Sequence, residues 1–128
     1  MKVLLDTNTL LLFAVGSGRL SPRVRNLIEA QEDELIVSAI VPWELVIKSS
    51  AGRLELPDSA ATVYRSILAE IRGRELAITA EHALRVSSLP ALHADPFDRL
   101  LVAQALVEGV PIATNDRAIQ RYAVDVIW

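Results

Sequence analysis

From Asp95 to Val107 the chain reads as a helix that is apolar on nearly every side. Asp95 suits the N-cap and Pro96 the first helical position. Phe97, Leu100, Leu101, Val102, Ala103, Ala105, Leu106 and Val107 leave no wide polar face, and such a helix is buried. The whole chain has 128 residues. That length suggests one domain, residues 1–128, able to bury roughly two-thirds of its unfolded surface. Hydrophobic residues make up 52% and charged residues 23%, ordinary for a compact protein with a heavily buried centre. Asp98 lies in the first turn of this helix, close in angle to Leu101, Val102 and Ala105. A carboxylate there either caps the helix or faces a site.

The segments before and after it alternate in type. Lys2-Val3-Leu4-Leu5-Asp6 reads as a short buried strand ending in an acid. Thr7-Asn8-Thr9 precedes a helix over Leu10 to Val15, and Ser21-Pro22 opens another that runs to about Gln31. Leu35 to Ser38 is a second strand. A helix from Ala39 to about Ala51 follows, with Ile40, Trp43 and Ile47 as its apolar stripe and Glu44 within that stripe. Trp43 and Ile40 are therefore expected to lie partly or wholly in the core. Further helices are expected over Ser59–Arg72 and Ala80–Ser88, and strands over Glu75–Thr79, Val110–Thr114 and Val124–Trp128. Pro111 implies that its strand starts late or lies near an edge. Asn115-Asp116 caps a short helix through about Tyr122. This alternation indicates an α/β fold, an α/β/α sandwich with a mainly parallel central sheet. In such folds ligands bind beyond the carboxyl ends of the strands.

Several function classes are excluded early. With no cysteine, any metal must be held by oxygen or histidine ligands. A net charge of −3 argues against a broadly basic nucleic-acid binder, though not against an enzyme that meets nucleic acid through a local patch and a metal. No segment has the length and apolarity of a membrane span, and the start lacks the pattern of a signal peptide. A cytoplasmic protein is the expectation.

Four acids stand where a bland residue would serve: Asp6 and Asp116 at strand ends, Glu44 on an apolar helix face, and Asp98 in the buried helix. Each has an ordinary explanation. Acids at helix starts satisfy free N–H groups, and Glu44 can pair with Lys48 one turn on. If the four converge, they raise one another's pKa unless a cation compensates. Mg²⁺ or Mn²⁺ is the natural hard cation for oxygen ligands. A carboxylate-held ion of this kind activates water and orients a phosphate, which is phosphodiester hydrolysis. The hydroxyls of Thr7 and Thr114 are placed to position a ligand or water. Lys48, Arg53 and Arg99 flank the acids in sequence and are candidates for phosphate contacts, with ion-pair or solvated surface roles equally open.

The motifs Leu4-Leu5-Asp6-Thr7-Asn8, Ser38-Ala39-Ile40-Val41-Pro42-Trp43-Glu44, His93-Ala94-Asp95-Pro96-Phe97-Asp98-Arg99-Leu100-Leu101-Val102-Ala103-Gln104-Ala105 and Thr114-Asn115-Asp116 resemble those of PIN-domain proteins. They resemble in particular the VapC-type toxins of bacterial toxin–antitoxin pairs, in order and over nearly the whole chain. The resemblance implies a metal-dependent ribonuclease whose acids Asp6, Glu44, Asp98 and Asp116 bind Mg²⁺ or Mn²⁺, with Asp6 and Asp98 as direct ligands and Glu44 and Asp116 binding directly or through water. It implies a homodimer and a cognate antitoxin, whose tail often sends a basic side chain into the acidic pocket. Asp95 also matches a motif position, but capping is the role expected of it. The family often has histidine where this chain has Asn8. His93 matches a common position and is expected to be structural, since a lone histidine is weak evidence for a ligand.

Three other readings were open. An aspartyl-nucleophile phosphatase would want a second aspartate two residues after Asp6, where Asn8 stands. A receiver-like domain would need an acid pair at the first strand end and a lysine after a late strand, and has neither. A non-catalytic module, with the acids as structural helix caps, is the alternative that the motifs leave standing.

Overall fold

The computed structural model describes residues 1–128. Its strands are β1 (Lys2–Leu5), β2 (Glu34–Ser38), β3 (Arg74–Leu76), β4 (Ile112–Ala113) and β5 (Val126–Ile127). They form one sheet in the order β3-β2-β1-β4-β5, every pairing parallel. Six helices connect them: α1 (Thr7–Ala14), α2 (Pro22–Ala30), α3 (Ile40–Ser50), α4 (Ala60–Ile71), α5 (Ala80–Arg85) and α6 (Pro96–Glu108). The α/β/α architecture expected from the alternation is present. None of the helices is long and apolar enough to cross a membrane.

The apolar runs decide which elements are central. Val3, Leu4 and Leu5 in β1 and Leu35, Ile36 and Val37 in β2 are all buried, as strands covered on both faces require. In α6 the run Leu101 to Ala105 is buried throughout. Its one polar member, Gln104, donates to Ala77 O (3.5 Å), lies 3.3 Å from His82 Nδ1 and accepts the hydroxyl of buried Ser38. Gly109 ends α6 in the left-handed conformation, φ +66°, which glycine adopts without Cβ strain.

Strand order sets the location of a site. The connections from β1 lead to one side of the sheet, through β2 to β3, while β4 leads to the other side, to β5. The crevice beyond the carboxyl ends of β1 and β4 is therefore the topological switch point, where open α/β sheets hold ligands. Asp6 directly follows β1 and Thr114 directly follows β4.

Several boundaries are tighter than the sequence reading. β4 and β5 are two residues each, and the helix expected after Asp116 is only a 3₁₀ turn, Ile119–Arg121. β4 does start late, after Pro111, yet it lies between β1 and β5 rather than at an edge. The placement of Trp43 needs correction. The buried face of α3 is Ile40, Val41, Glu44 and Leu45, whereas Trp43 is 56% exposed and Ile47 is also exposed. The helix is rotated because Glu44 points inward to polar partners. Trp43 lies at the surface, edge-on to Phe97, with ring centroids 5.2 Å apart.

Replacing Gln104 with leucine strands the Ser38 hydroxyl in the core and removes a partner of the His82 ring. The expected cost is ~1–3 kcal/mol, read from urea unfolding. A wild-type midpoint would show that this contact contributes nothing.

Candidate active site

Three N-termini and one helix face bring acids to the crevice. Asp6 caps α1: its Oδ1 accepts the Thr9 N–H at 2.7 Å. Its other oxygen accepts the hydroxyl of Thr114, 108 residues away in sequence. The Thr114 oxygen in turn accepts the backbone N–H of Asp116 at 3.0 Å. Asp116 Oδ1 accepts the N–H groups of Ala118 and Ile119 at 2.7 and 3.1 Å. Asp95 caps α6, with Oδ1 accepting from Phe97 and Asp98 at 2.8 and 3.4 Å. In each of the three a single oxygen does the capping; the second meets the Thr114 hydroxyl in Asp6, the Lys48 ammonium in Asp95 and the His93 ring in Asp116.

Glu44 and Asp98 are held differently. Glu44 is 5% exposed. Thr7 Oγ1 donates to its Oε1 at 2.5 Å, and the Lys48 ammonium donates to its Oε2. The ion pair expected at four-residue spacing is therefore present, inside the site rather than instead of it. Lys48 also reaches Asp95 Oδ2 at 3.3 Å. Asp98 accepts no backbone N–H; its Oδ2 lies 3.0 Å from His93 Nε2. The same nitrogen lies 3.4 Å from Asp116 Oδ2.

Two sets of ligating atoms follow, each with all members within 4.8 Å of one another: Glu44, Asp95 and Asp98, and His93, Asp98 and Asp116. Asp98 belongs to both. Metal–oxygen bonds of ~2.1 Å put opposite ligands ~4.2 Å apart, so the donor spacing in both sets matches the span of a small cation. The oxygen-rich donor sets fit Mg²⁺ or Mn²⁺ better than a soft metal. Asp6 is in neither set and lies deeper, close enough to Asp116 to feel its charge.

Burial and crowding appear in the proton affinities. Desolvation, then the charges of Asp95, Glu44 and Asp116, push the Asp98 carboxyl from the ordinary 3.8 up to about 7. Burial likewise raises Asp6, against the hydrogen bonds of Thr114 and Thr9 that lower it. Burial leads in both, and neighbouring like charge adds to it.

The flanking cations divide. Lys48 and Arg53 line an open hollow of about 420 Å³ with His93, Ala94, Asp95, Pro96 and Phe97. Arg99 is not at the site: its guanidinium donates to Pro90 O, Val86 O and the Tyr122 hydroxyl. It ties the start of α6 to the segment before it, and the candidacy for a phosphate contact falls away. His93 and Asp95 reach the acid cluster where the sequence reading gave them structural roles. The signal for His93 was its place in the loop that leads directly into Asp98. Asn8 donates to Asn115 Oδ1 at 3.4 Å, joining the loops after β1 and β4.

Residues 3–125 match the PIN domain family. The chain belongs to the PIN-domain family. Its likeness within that family is to VapC proteins. It is 30% identical to Ribonuclease VapC22 of Mycobacterium tuberculosis, over 94% of this chain and 91% of that one. The fold resembles VapBC2 from Rickettsia felis bound to a promoter DNA fragment (TM-score 0.74, 18% identity, 99% and 98% of the two chains). It resembles DNA-bound VapBC from Salmonella typhimurium as closely (TM-score 0.73, 17% identity, 99% and 97%).

A pH dependence follows for the metal-free protein. Folding raises the Asp98 pKa, so between about pH 4 and about pH 7 the folded state holds more protons than the unfolded chain. Stability from this group is highest at the acid end and is lost as pH rises through that window; the raised Asp6 acts with the same sign. With EDTA present, Asp98→Asn should flatten the melting-temperature profile and melt higher than the unaltered chain at pH 7. An unchanged profile would clear Asp98 of this role.

Proposed function

We propose that residues 1–128 form one nuclease domain, a metal-dependent endoribonuclease that is the toxin of a toxin–antitoxin pair. The observation that carries this reading is the pair of three-residue donor sets sharing Asp98 at the switch point of the sheet. Asp98, Asp116, Glu44 and Asp6 are the acids to which the reaction is assigned, with Mg²⁺ or Mn²⁺ as the cation. When bound, such a cation supplies the charge that polarises a phosphodiester and acidifies an attacking water.

The residues of the chain do the rest. Thr7 and Thr114 hold Glu44 and Asp6 in fixed rotamers through their hydroxyls. The caps at Asp6, Asp95 and Asp116 anchor one oxygen of each acid to backbone that cannot shift without unwinding a turn. Positioning of that kind is what a displacement at phosphorus needs. The hollow beside Lys48 and Arg53 is the place where an RNA strand meets the acids, with cations for its backbone and the Phe97 ring at its floor. Specificity in RNA recognition comes from splayed bases and shape.

The helix-cap alternative accounts for half of what is seen. It explains one oxygen of Asp6, Asp95 and Asp116. It does not explain Glu44, which is buried, or Asp98, which is half-buried among like charges; neither caps a helix. The assignment of RNA as substrate is supported by the ribonuclease named among the relatives. The antitoxin partner is supported by the toxin–antitoxin complexes among the structural likenesses. A homodimer is the assembly that the resemblance implies.

The test is cleavage of a mixed RNA panel by purified, antitoxin-free protein with Mg²⁺, Mn²⁺ or EDTA. Loss of a group that only supports a metal ligand typically costs ~10–100-fold, so Asp98→Asn, which belongs to both donor sets, should lose more than ~100-fold and Asp6→Asn at least ~10-fold, both keeping the fold. Metal-dependent cutting that survives both substitutions would overturn the assignment.

A further inference from the structure

The two donor sets are not equivalent. In the set of Glu44, Asp95 and Asp98, a cation is already in place. The Lys48 ammonium donates to Glu44 Oε2 and lies 3.3 Å from Asp95 Oδ2. The remaining oxygens of both acids are also taken. Glu44 Oε1 accepts from Thr7, and Asp95 Oδ1 accepts the N–H groups at the start of α6. A divalent ion entering there must displace an ammonium of its own sign. That ammonium is tethered to the helix that carries Glu44, one turn away, and sits 5.7 Å from the centre of the Phe97 ring. Tethering makes its binding intramolecular, so a dissolved ion must compete with a charge that never leaves the site.

The other set has no such occupant. Asp98 and Asp116 meet only the Nε2 of His93, at 3.0 and 3.4 Å. His93 Nδ1 is held by the Asp95 N–H at 3.1 Å, which leaves Nε2 as the ring nitrogen that faces the two carboxylates. No lysine or arginine reaches these two carboxylates.

The geometry points to Lys48 as a built-in substitute for a second metal ion: the site takes one divalent cation, at Asp98 and Asp116, and the Lys48 ammonium supplies the other positive charge. This rests on the metal-dependent reading above and adds a stoichiometry and a role. Lys48 balances Glu44 and Asp95, and its remaining donor capacity is open to the hollow where it is the nearest cation to the acids. An ammonium has three donors, and two are committed to carboxylates. The third is available to a non-bridging phosphate oxygen of a strand lying in the hollow. Lys48 is thereby a positioning residue for the substrate as well as a counter-charge.

The experiment counts ions. Calorimetric titration of the unaltered protein with Mn²⁺ should give one ion per chain. Lys48→Met keeps an unbranched stem against Phe97 and removes the charge. It should bind two ions per chain, and because both sets share Asp98, its Mn²⁺ spectrum should show a magnetically coupled pair. Lys48→Arg keeps a positive charge and should stay at one, which separates charge from any loss of packing. Two ions on the unaltered chain, or one on Lys48→Met with its fold intact by circular dichroism, would overturn the proposal and leave the nuclease reading standing. No ion on the unaltered chain, with no metal-dependent cleavage, would overturn both.

Discussion

Mutual repulsion among Asp6, Glu44, Asp95, Asp98 and Asp116 is the interaction that the rest of the molecule has to contain. Acids this close, with Asp6 and Glu44 buried, disfavour one another's charge, and they add to the burial that raises Asp98. Containment is local and varied. One oxygen of three acids is bound by backbone N–H groups at the start of a helix or turn, where the helix end also favours negative charge. Two threonine hydroxyls hold Glu44 and Asp6. Lys48 pairs with Glu44 and with Asp95. The sheet supplies the common origin, because the carboxyl ends of β1, β2 and β4 all open toward the same edge.

Capping and chemistry are not rival explanations in such a site. A capping carboxylate has two oxygens, and only one is used by the helix. The same hydrogen bond that stabilises a helix start fixes the rotamer of the group and aims its second oxygen. Asp95 shows this best. It satisfies two N–H groups of α6 and still presents an oxygen to Lys48.

Much of this was legible in the sequence, for stated physical reasons. The all-apolar runs of β1, β2 and α6 demand burial, and the alternation of element types demands a parallel sheet. The four motif acids were visible because each is a charge where an apolar or neutral residue would be cheaper. What stayed hidden was orientation. On α3 the choice between Trp43 and Glu44 as the inward residue depends on Thr7, 37 residues away, and no local periodicity carries that. Arg99 flanks an acid in sequence, but on a helix its neighbour Asp98 points a different way, so it binds Pro90 and Tyr122 instead. His93 precedes the helix, where only the loop's path decides what it touches. The last strands and turn were overdrawn because pairing partners, not propensity, limit β4 and β5 to two residues each.

The contact between Asp6 and Thr114 spans almost the whole chain, and Asp116 lies just beyond it. A polypeptide emerging from the ribosome presents Asp6 long before β4, Thr114 and Asp116, and β5 completes the sheet only after those. Domains form as units once enough of the chain is available. A partly made molecule therefore carries most of the acids but no assembled crevice. Timing is thus written into the topology: whatever this site does to a nucleic acid, it begins after translation of its own message has passed the last motif.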